Sequence, residues 1–164
     1  MKTLKRRSQK QEKSVAKDFN AKVTVASGAK WGMKADVRND MFLIECKTTE
    51  KDYYTLNASV WEKIEQEAIR DHLRIPLMVI DLEDKDRVVV YRPQDFDPNI
   101  DTRCTLRTEP KSVKIRANML GYNQFGDYTY KCVTHIWGKK HNVICLMLQK
   151  DFEEEYKEEL FSGT

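Results

Sequence analysis

Two carboxylates and a lysine lie close together in one short segment of the sequence. Glu45 and Lys47 are two residues apart in a stretch that begins with apolar residues, and Asp36 precedes them. Side chains two apart on a strand point to the same face, so Glu45 and Lys47 are predicted to project together. The Asn39-Asp40 pair is typical of a tight turn, which would fold the chain back and bring Asp36 beside Glu45.

Neighbouring carboxylates form a site for a hard divalent cation, because such cations prefer oxygen ligands. We expect Asp36 and Glu45 to hold Mg²⁺, or Mn²⁺ as a substitute, with the carbonyl of Cys46 as a third oxygen. A cation held in this way can bind a phosphate and lower the pKa of water, as phosphodiester hydrolysis requires. Lys47 could stabilise the transition state with its charge, or act as a base without it. The sequence leaves both roles open.

The same residues also have a purely structural explanation. Charged side chains at the end of a buried strand are costly to desolvate unless they have partners. An ion pair between Glu45 and Lys47 would provide the partners without any catalytic role. The short motif alone therefore does not distinguish a catalytic site from a salt bridge.

The elements that must position these residues are predicted from hydrophobic periodicity. In chain order they are a helix at 8–20, strands at 21–26, 35–38 and 41–48, a helix at 57–73, and strands at 77–82 and 87–91. Asn57 or Ser59 can cap the second helix, and Glu62 can complete a capping box from Ser59. This order of elements predicts a layered α/β fold.

The rest of the chain is predicted to be rich in strands. Strands are expected at 112–117, 128–137 and 143–148, with a hairpin turn at 138–142, followed by an acidic helix whose buried residues are Phe152, Tyr156 and Leu160. We therefore divide the chain into a core at 1–100 and a β-rich extension at 101–164. The sequence does not decide whether the extension continues the sheet or forms an appended subdomain.

Charge is distributed unevenly, although the net charge is only +3. Basic residues dominate the first thirteen positions, and their attraction for phosphates would release counterions; a solvated terminus is the alternative. No apolar run is long enough to cross a membrane, and no apolar signal region is evident, so a cytoplasmic location is expected. The widely spaced Cys46, Cys104, Cys132 and Cys145 favour reduced, buried thiols.

The segment at 27–49 and its surroundings resemble the PD-(D/E)XK nuclease superfamily, and more narrowly the archaeal-type and phage Holliday junction resolvases. The resemblance covers about residues 8–91 and includes the order of elements. The matching motif residues are Glu12, Ser27-Gly28, Asp36, Glu45-Cys46-Lys47 and Thr48-Thr49. The sequence departs from the family at Ala35, where the motif has proline.

This resemblance implies a restriction-endonuclease-like α/β core, with a mixed central sheet flanked by helices, followed by the C-terminal β-rich extension. It implies that Asp36 and Glu45 are the main metal ligands and that Glu12 assists them. Lys47 would be the catalytic lysine, and Ser27 would lie on a mobile loop near the scissile strand. The implied activity is Mg²⁺-dependent cleavage of four-way DNA junctions by a homodimer, since a resolvase cuts two symmetric strands.

Candidate DNA contacts come from charge and from one aromatic residue in a predicted loop. These candidates are Lys5, Arg6, Arg7, Lys10, Lys30 and Trp31. Trp31 could stack on a base or anchor its loop on the core. Farther along, Lys111, Lys114 and Arg116 alternate with apolar residues, which is consistent with phosphate contact but also with an ordinary exposed strand.

Three other functions compete with the junction resolvase. A restriction- or repair-type nuclease of the same fold would use the same residues on another DNA substrate. A non-catalytic DNA-binding module derived from the fold has no need of clustered carboxylates facing phosphate. A structural protein with coincidental charges is the third alternative, and the match at 27–49 argues against it.

Overall fold

The structure is a computed structural model that describes residues 2–24, 35–83, 86–100, 107–122, 128–129 and 131–161. The helices within these ranges are α1 (Lys2–Asp18), α2 (Ala58–Arg70), α3 (Gln149–Glu155) and α4 (Lys157–Phe161). The strands of the first half are β1 (Lys22–Val23), β2 (Val37–Arg38), β3 (Phe42–Thr48), β4 (Tyr53–Asn57), β5 (Ile75–Asp81) and β6 (Arg87–Tyr91). The later strands are β7 (Arg107–Glu109), β8 (Ser112–Arg116), β9 (Gly121–Tyr122), β10 (Tyr128–Thr129), β11 (Lys131–Trp137) and β12 (His141–Leu148).

A mixed eight-stranded sheet runs through the molecule in the order β1-β2-β3-β5-β6-β12-β11-β7. The pairs β3–β5 and β11–β7 are parallel, and the other pairs are antiparallel. Strands β12, β11 and β7 thus extend the sheet beyond β6. Two small two-stranded sheets, β4–β8 and β9–β10, accompany it.

Helices cover both faces of this sheet, as predicted for an α/β fold. On one face α1, α3 and α4 pack through residues that include Val15, Phe19 and Phe152. On the other face α2 packs beside the β4–β8 sheet, through residues that include Trp61 and Ile115. Strand β3 supplies buried residues to both cores, so the prediction of a strand covered on both sides is confirmed.

Several predicted boundaries are wrong for identifiable reasons. Helix α1 begins at Lys2 rather than at residue 8, because its early lysines and arginines are good helix formers. Strand β4 was not predicted, since it runs into α2 without a glycine or proline between them. The predicted capping box of Ser59 and Glu62 is also wrong: Asn57 is the N-cap residue, and Glu62 accepts a hydrogen bond from the backbone N–H of Lys140.

The C-terminal part agrees with the predicted burial pattern. Phe152, Tyr156 and Leu160 are all buried, although two short helices replace the single predicted one: Phe152 lies on α3, Leu160 lies on α4, and Tyr156 is between them. Cys46 and Cys145 are both buried, as predicted. Cys104 and the side chain of Cys132 lie outside the described residues.

Candidate functional site

Strand β3 carries Glu45 and Lys47 on the face that is covered by α2 and the β4–β8 sheet. Leu43, two residues earlier on the same face, belongs to the core beneath α2. Lys47 Nζ donates a hydrogen bond to Glu45 Oε1 at 2.7 Å, and the two side chains are 35% and 19% exposed, respectively. The ion pair of the structural explanation is therefore present, and other groups must decide whether the cluster is more than a salt bridge.

Asp36 lies beside Glu45 because of the pairing between β2 and β3. The antiparallel register joins Val37 to Ile44 and Arg38 to Leu43, and its continuation by one residue sets Asp36 opposite Glu45. Asp36 Oδ2 accepts a hydrogen bond from the backbone N–H of Cys46 at 2.8 Å. The turn at residues 39–40 thus brings the two predicted carboxylates together, as the sequence suggested.

The environment of Asp36 opposes its ionisation. Burial raises the pKa of its carboxyl to about 6, and the negative charges of Glu45 and Glu12 act in the same direction. The Cys46 N–H and the charge of Lys47 oppose this shift only in part. The cluster therefore holds more negative charge than Lys47 neutralises, a situation that a divalent cation would relieve.

Glu12 reaches this cluster from α1. Its carboxylate is half-buried and accepts a hydrogen bond from Ser8 Oγ at 3.1 Å, one helical turn away. The charge of Glu12 raises the pKa of Asp36 and also that of the Cys46 thiol, for which burial is the larger cause. Glu12 thus lies within electrostatic range of Asp36, although no described contact joins the two carboxylates directly.

Lys47 keeps its proton in this setting. Burial lowers the pKa of its ammonium group, but the hydrogen bond and the charge of Glu45 outweigh burial and leave the pKa above its ordinary value. A lysine that is protonated at neutral pH can stabilise charge but cannot accept a proton. The geometry therefore favours an electrostatic role over a role as base.

The third predicted oxygen belongs to Cys46. The N–H of this residue points toward Asp36, and the carbonyl of a strand residue leaves the backbone on the same edge as its N–H. The thiol instead faces the α1 side of the sheet, where it is buried. The carbonyl is thus directed to the carboxylate side of the strand, and the sulfur belongs to the core.

Hard-oxygen donors fit Mg²⁺ or Mn²⁺ better than softer metals. Asp36, Glu45 and Glu12 each direct one carboxylate oxygen at a protein donor. Across the described ranges, no group of three or more His, Cys, Asp or Glu side chains is gathered tightly enough to hold a metal by itself. Metal binding would accordingly require these side chains to turn from their present donors toward the cation.

The predicted DNA-binding residues fall into two groups. Lys5, Arg6, Arg7 and Lys10 are exposed on α1 rather than on an extended arm. Arg7 and Lys10 line a cleft of about 840 Å³ together with Thr48 and Arg87, and the cleft also contains the acidic residues Asp81, Glu83, Asp86 and Glu153. Asp36, Glu45 and Lys47 are not among the residues that line it. The other group, Lys30 and Trp31, lies outside the described part of the chain, as does Ser27, which was predicted as a catalytic residue.

Gln11 is a site residue that the sequence analysis missed. Its side chain is 2% exposed, donates hydrogen bonds to the carbonyls of Lys47 (2.8 Å) and Val79 (3.1 Å), and accepts one from Thr48 Oγ1 (2.7 Å). It thereby fixes α1 to β3 and β5 directly beside Glu12. Its four-residue spacing from Val15 places a polar side chain in the buried stripe of the helix, and this signal was available in the sequence.

Tyr54 is a second residue that was missed. It lies on the inner side of β4 and packs against the core cluster that contains Leu43. Burial raises the pKa of its phenol, while Lys47 lowers and Glu45 raises it, so its hydroxyl lies within electrostatic range of both. No sequence signal pointed to Tyr54, because β4 itself was not predicted.

Comparisons with known proteins do not assign this chain to a family. No protein-family model matches the chain, and a search of curated proteins finds no match. In the described residues, no helix combines the length and the apolar character needed to cross a membrane. The resemblance to junction resolvases therefore remains a prediction carried by the residues of the site.

Proposed function

We propose that the chain is a Mg²⁺-dependent, structure-selective DNA endonuclease that hydrolyses phosphodiesters at four-way junctions. Its α/β architecture would be a restriction-endonuclease-like core with a β-rich C-terminal extension. The observation that carries the proposal is the placement of Asp36 opposite Glu45, with Lys47 on the same face of β3. A salt bridge between Glu45 and Lys47 needs neither Asp36 nor the nearby charge of Glu12.

Each residue of the cluster has a distinct role in this proposal. Asp36 and Glu45 would hold the cation, with Glu12 and the carbonyl of Cys46 completing the oxygen donors. When bound, Mg²⁺ or Mn²⁺ would neutralise charge at a phosphate oxygen and make water more acidic. Lys47, which stays protonated beside Glu45, would stabilise the negative charge that develops on the phosphoryl oxygens.

The exposed cations of α1 support a nucleic-acid substrate. Arg7 and Lys10 share a cleft with Thr48, so phosphates attracted by α1 would lie near the end of the strand that carries Lys47. Lys5 and Arg6 would extend this contact, and Lys30 and Trp31 would add further contacts. Cleavage of two symmetric strands of a junction would require a two-fold homodimer.

Cleavage of labelled DNA tests this proposal. We would compare a four-way junction with linear duplex in Mg²⁺, using the wild type, Asp36→Asn and the matched control Asp40→Asn, whose side chain is exposed on the nearby turn. We expect the wild type and Asp40→Asn to cut the junction, and Asp36→Asn to bind it without cutting.

The other outcomes of this experiment identify other functions. Equal cutting of junction and linear duplex would indicate a restriction- or repair-type nuclease of the same fold. Binding of DNA by the wild type without Mg²⁺-dependent cutting would indicate a non-catalytic DNA-binding module. Absence of both binding and cutting would leave the Glu45–Lys47 pair as a structural salt bridge.

A further inference from the structure

The two-stranded β4–β8 sheet has two chemically different faces. Its antiparallel register pairs Tyr54 with Ile115 and Leu56 with Val113, and these four residues point toward the core beneath α2. The remaining pairs point away from the core, because successive side chains of a strand alternate between faces. These outward residues are Tyr53, Thr55, Asn57, Ser112, Lys114 and Arg116.

Three cations surround one aromatic ring on the outward face. Lys114 Nζ lies 4.2 Å from the centroid of the Tyr53 ring, and Lys51 Nζ and the guanidinium carbon of Arg116 each lie 5.2 Å from it. Lys51 Nζ also donates a hydrogen bond to the Tyr53 hydroxyl at 3.3 Å. The face of the Tyr53 ring attracts these three cations and thereby offsets part of their mutual repulsion.

One carboxylate balances part of this charge. Asp52 accepts a hydrogen bond from Arg116, and its side chain is 60% exposed. The exposed position of the pair means that water screens it strongly, so an anion can compete for Arg116. Lys111 precedes β8 and is exposed, so the alternation along β8 does not assign it to either face.

Neighbouring residues of β4 belong to the outward face and to the side of the candidate site. Tyr53 faces solvent, while its neighbour Tyr54 faces inward, where Lys47 and Glu45 influence its hydroxyl. The outward face is thus the solvent side of the layer that covers Glu45 and Lys47. The exposed cations of α1 belong to the opposite layer of the fold, so the two cationic regions lie on different sides of the large sheet.

We propose that the outward face of β4–β8, formed by Tyr53, Lys114 and Arg116 together with the adjoining Lys51, binds the phosphodiester backbone of the DNA substrate. This inference rests on the proposed function and adds a second strand-binding surface to the one on α1. The cations would contact phosphates, and the Tyr53 ring would hold them in place or stack against an unpaired base.

The salt dependence of junction binding tests this surface. In the Asp36→Asn background and without Mg²⁺, Lys114→Ala/Arg116→Ala is expected to weaken junction binding about tenfold and to lower the slope of log K against log salt by about 2. The matched control Lys139→Ala/Lys157→Ala removes the same charge from exposed positions between β11 and β12 and on α4, which belong to neither proposed DNA-binding surface. We expect the control to keep both the affinity and the slope.

A variant that strengthens binding excludes a trivial loss of folding. Asp52→Asn removes the competing carboxylate, so it is expected to tighten junction binding about threefold and to steepen the salt dependence. The inference would be overturned if the test and control pairs had equal effects on junction binding, or if Asp52→Asn did not tighten it. Junction cleavage by the wild type would in that case still support the proposed function. If the wild type neither binds nor cuts DNA, both proposals fail.

Discussion

Two clusters of charged residues lie at the ends of neighbouring strands, and they are built differently. At the start of β6, Arg87 donates to both oxygens of Asp81, at 2.6 and 3.2 Å, and to Asp18 at 3.0 Å. Each carboxylate of this cluster thus has a direct ionic partner, and Asp18 also accepts a hydrogen bond from Gln149. At the β2–β3 cluster, by contrast, Lys47 contacts Glu45, while Asp36 accepts only a backbone N–H among its described contacts.

The comparison separates a structural ion-pair network from a candidate functional one. The pKa of Arg87 is raised, since the hydrogen bond and charge of Asp81 and the charge of Asp18 outweigh the lowering effect of burial. Burial and like charges raise the pKa of Asp36, which means that the ionised carboxylate is destabilised in the folded protein. The first cluster is satisfied by protein groups, and the second has unbalanced negative charge that suits a cation.

The largest expected effect is on activity, from Asp36→Asn. We expect junction cleavage to fall about a thousandfold or more, equivalent to about 4 kcal/mol in the activation barrier, because the cation loses a main ligand. The structure should survive, since an asparagine oxygen can still accept the hydrogen bond from Cys46 N–H. Single-turnover cleavage measures the rate, and unchanged cleavage would remove Asp36 from the mechanism.

The same substitution should stabilise the metal-free protein at neutral pH. Asp36 has a pKa of about 6 in the folded state against 3.8 for the ordinary group, so ionisation favours the unfolded chain. Ionisation of Asp36 therefore lowers the free energy of unfolding. This loss is absent below pH 3.8, grows as the pH rises, and reaches at most about 3 kcal/mol above pH 6. Urea unfolding in EDTA should therefore show Asp36→Asn more stable than the wild type at pH 7, with no difference near pH 3.

Arg87→Met should destabilise the protein, in contrast to Asp36→Asn. It leaves Asp81 and Asp18 without their cation in a region where the Arg87 side chain is only 19% exposed. We expect a loss of about 3 kcal/mol in the free energy of unfolding, measured by urea titration. At a temperature where the variant is folded, its affinity for Mn²⁺ should match that of the wild type. A large loss of Mn²⁺ affinity in the folded variant would contradict the structural assignment of this cluster.

A smaller effect is expected from Gln11→Ala. The change removes hydrogen bonds to the carbonyls of Lys47 and Val79 and should cost about 2 kcal/mol of stability. It should also raise the Mg²⁺ concentration needed for half-maximal cleavage, because α1 positions Glu12. Gln9→Ala, on the exposed side of the same helix, serves as the control and should change neither quantity. Loss of stability with an unchanged Mg²⁺ requirement would limit Gln11 to a structural role.

The smallest effect is expected from Glu12→Gln. This residue lies at electrostatic range of Asp36 and not in direct contact, so the affinity for the cation should fall about tenfold while the fold is retained. Saturating Mg²⁺ should then restore most of the cleavage rate. A loss that high Mg²⁺ does not restore would indicate that Glu12 acts directly on the substrate.

The sequence predicted the parts of the site that depend on local periodicity. The two-residue spacing of Glu45 and Lys47 and the turn before Met41 were sufficient to bring Asp36, Glu45 and Lys47 together. Predicting the role of Gln11 requires knowing which face of α1 meets β3 and β5. Its position in the buried stripe of the helix was a signal that its side chain is buried. Tyr54 was missed because β4 pairs with β8, about sixty residues away in the chain, and no local pattern specifies such a pairing.

Binding of Mn²⁺, measured by calorimetry or electron paramagnetic resonance, tests the difference between the two clusters most directly. The comparison uses the wild type, Asp36→Asn and Asp18→Asn, each verified as folded. We predict that the wild type and Asp18→Asn bind Mn²⁺ with the same affinity and that Asp36→Asn binds it at least about tenfold more weakly. Unchanged binding by Asp36→Asn, or an equal loss in Asp18→Asn, would contradict the assignment of the metal site to the β2–β3 cluster.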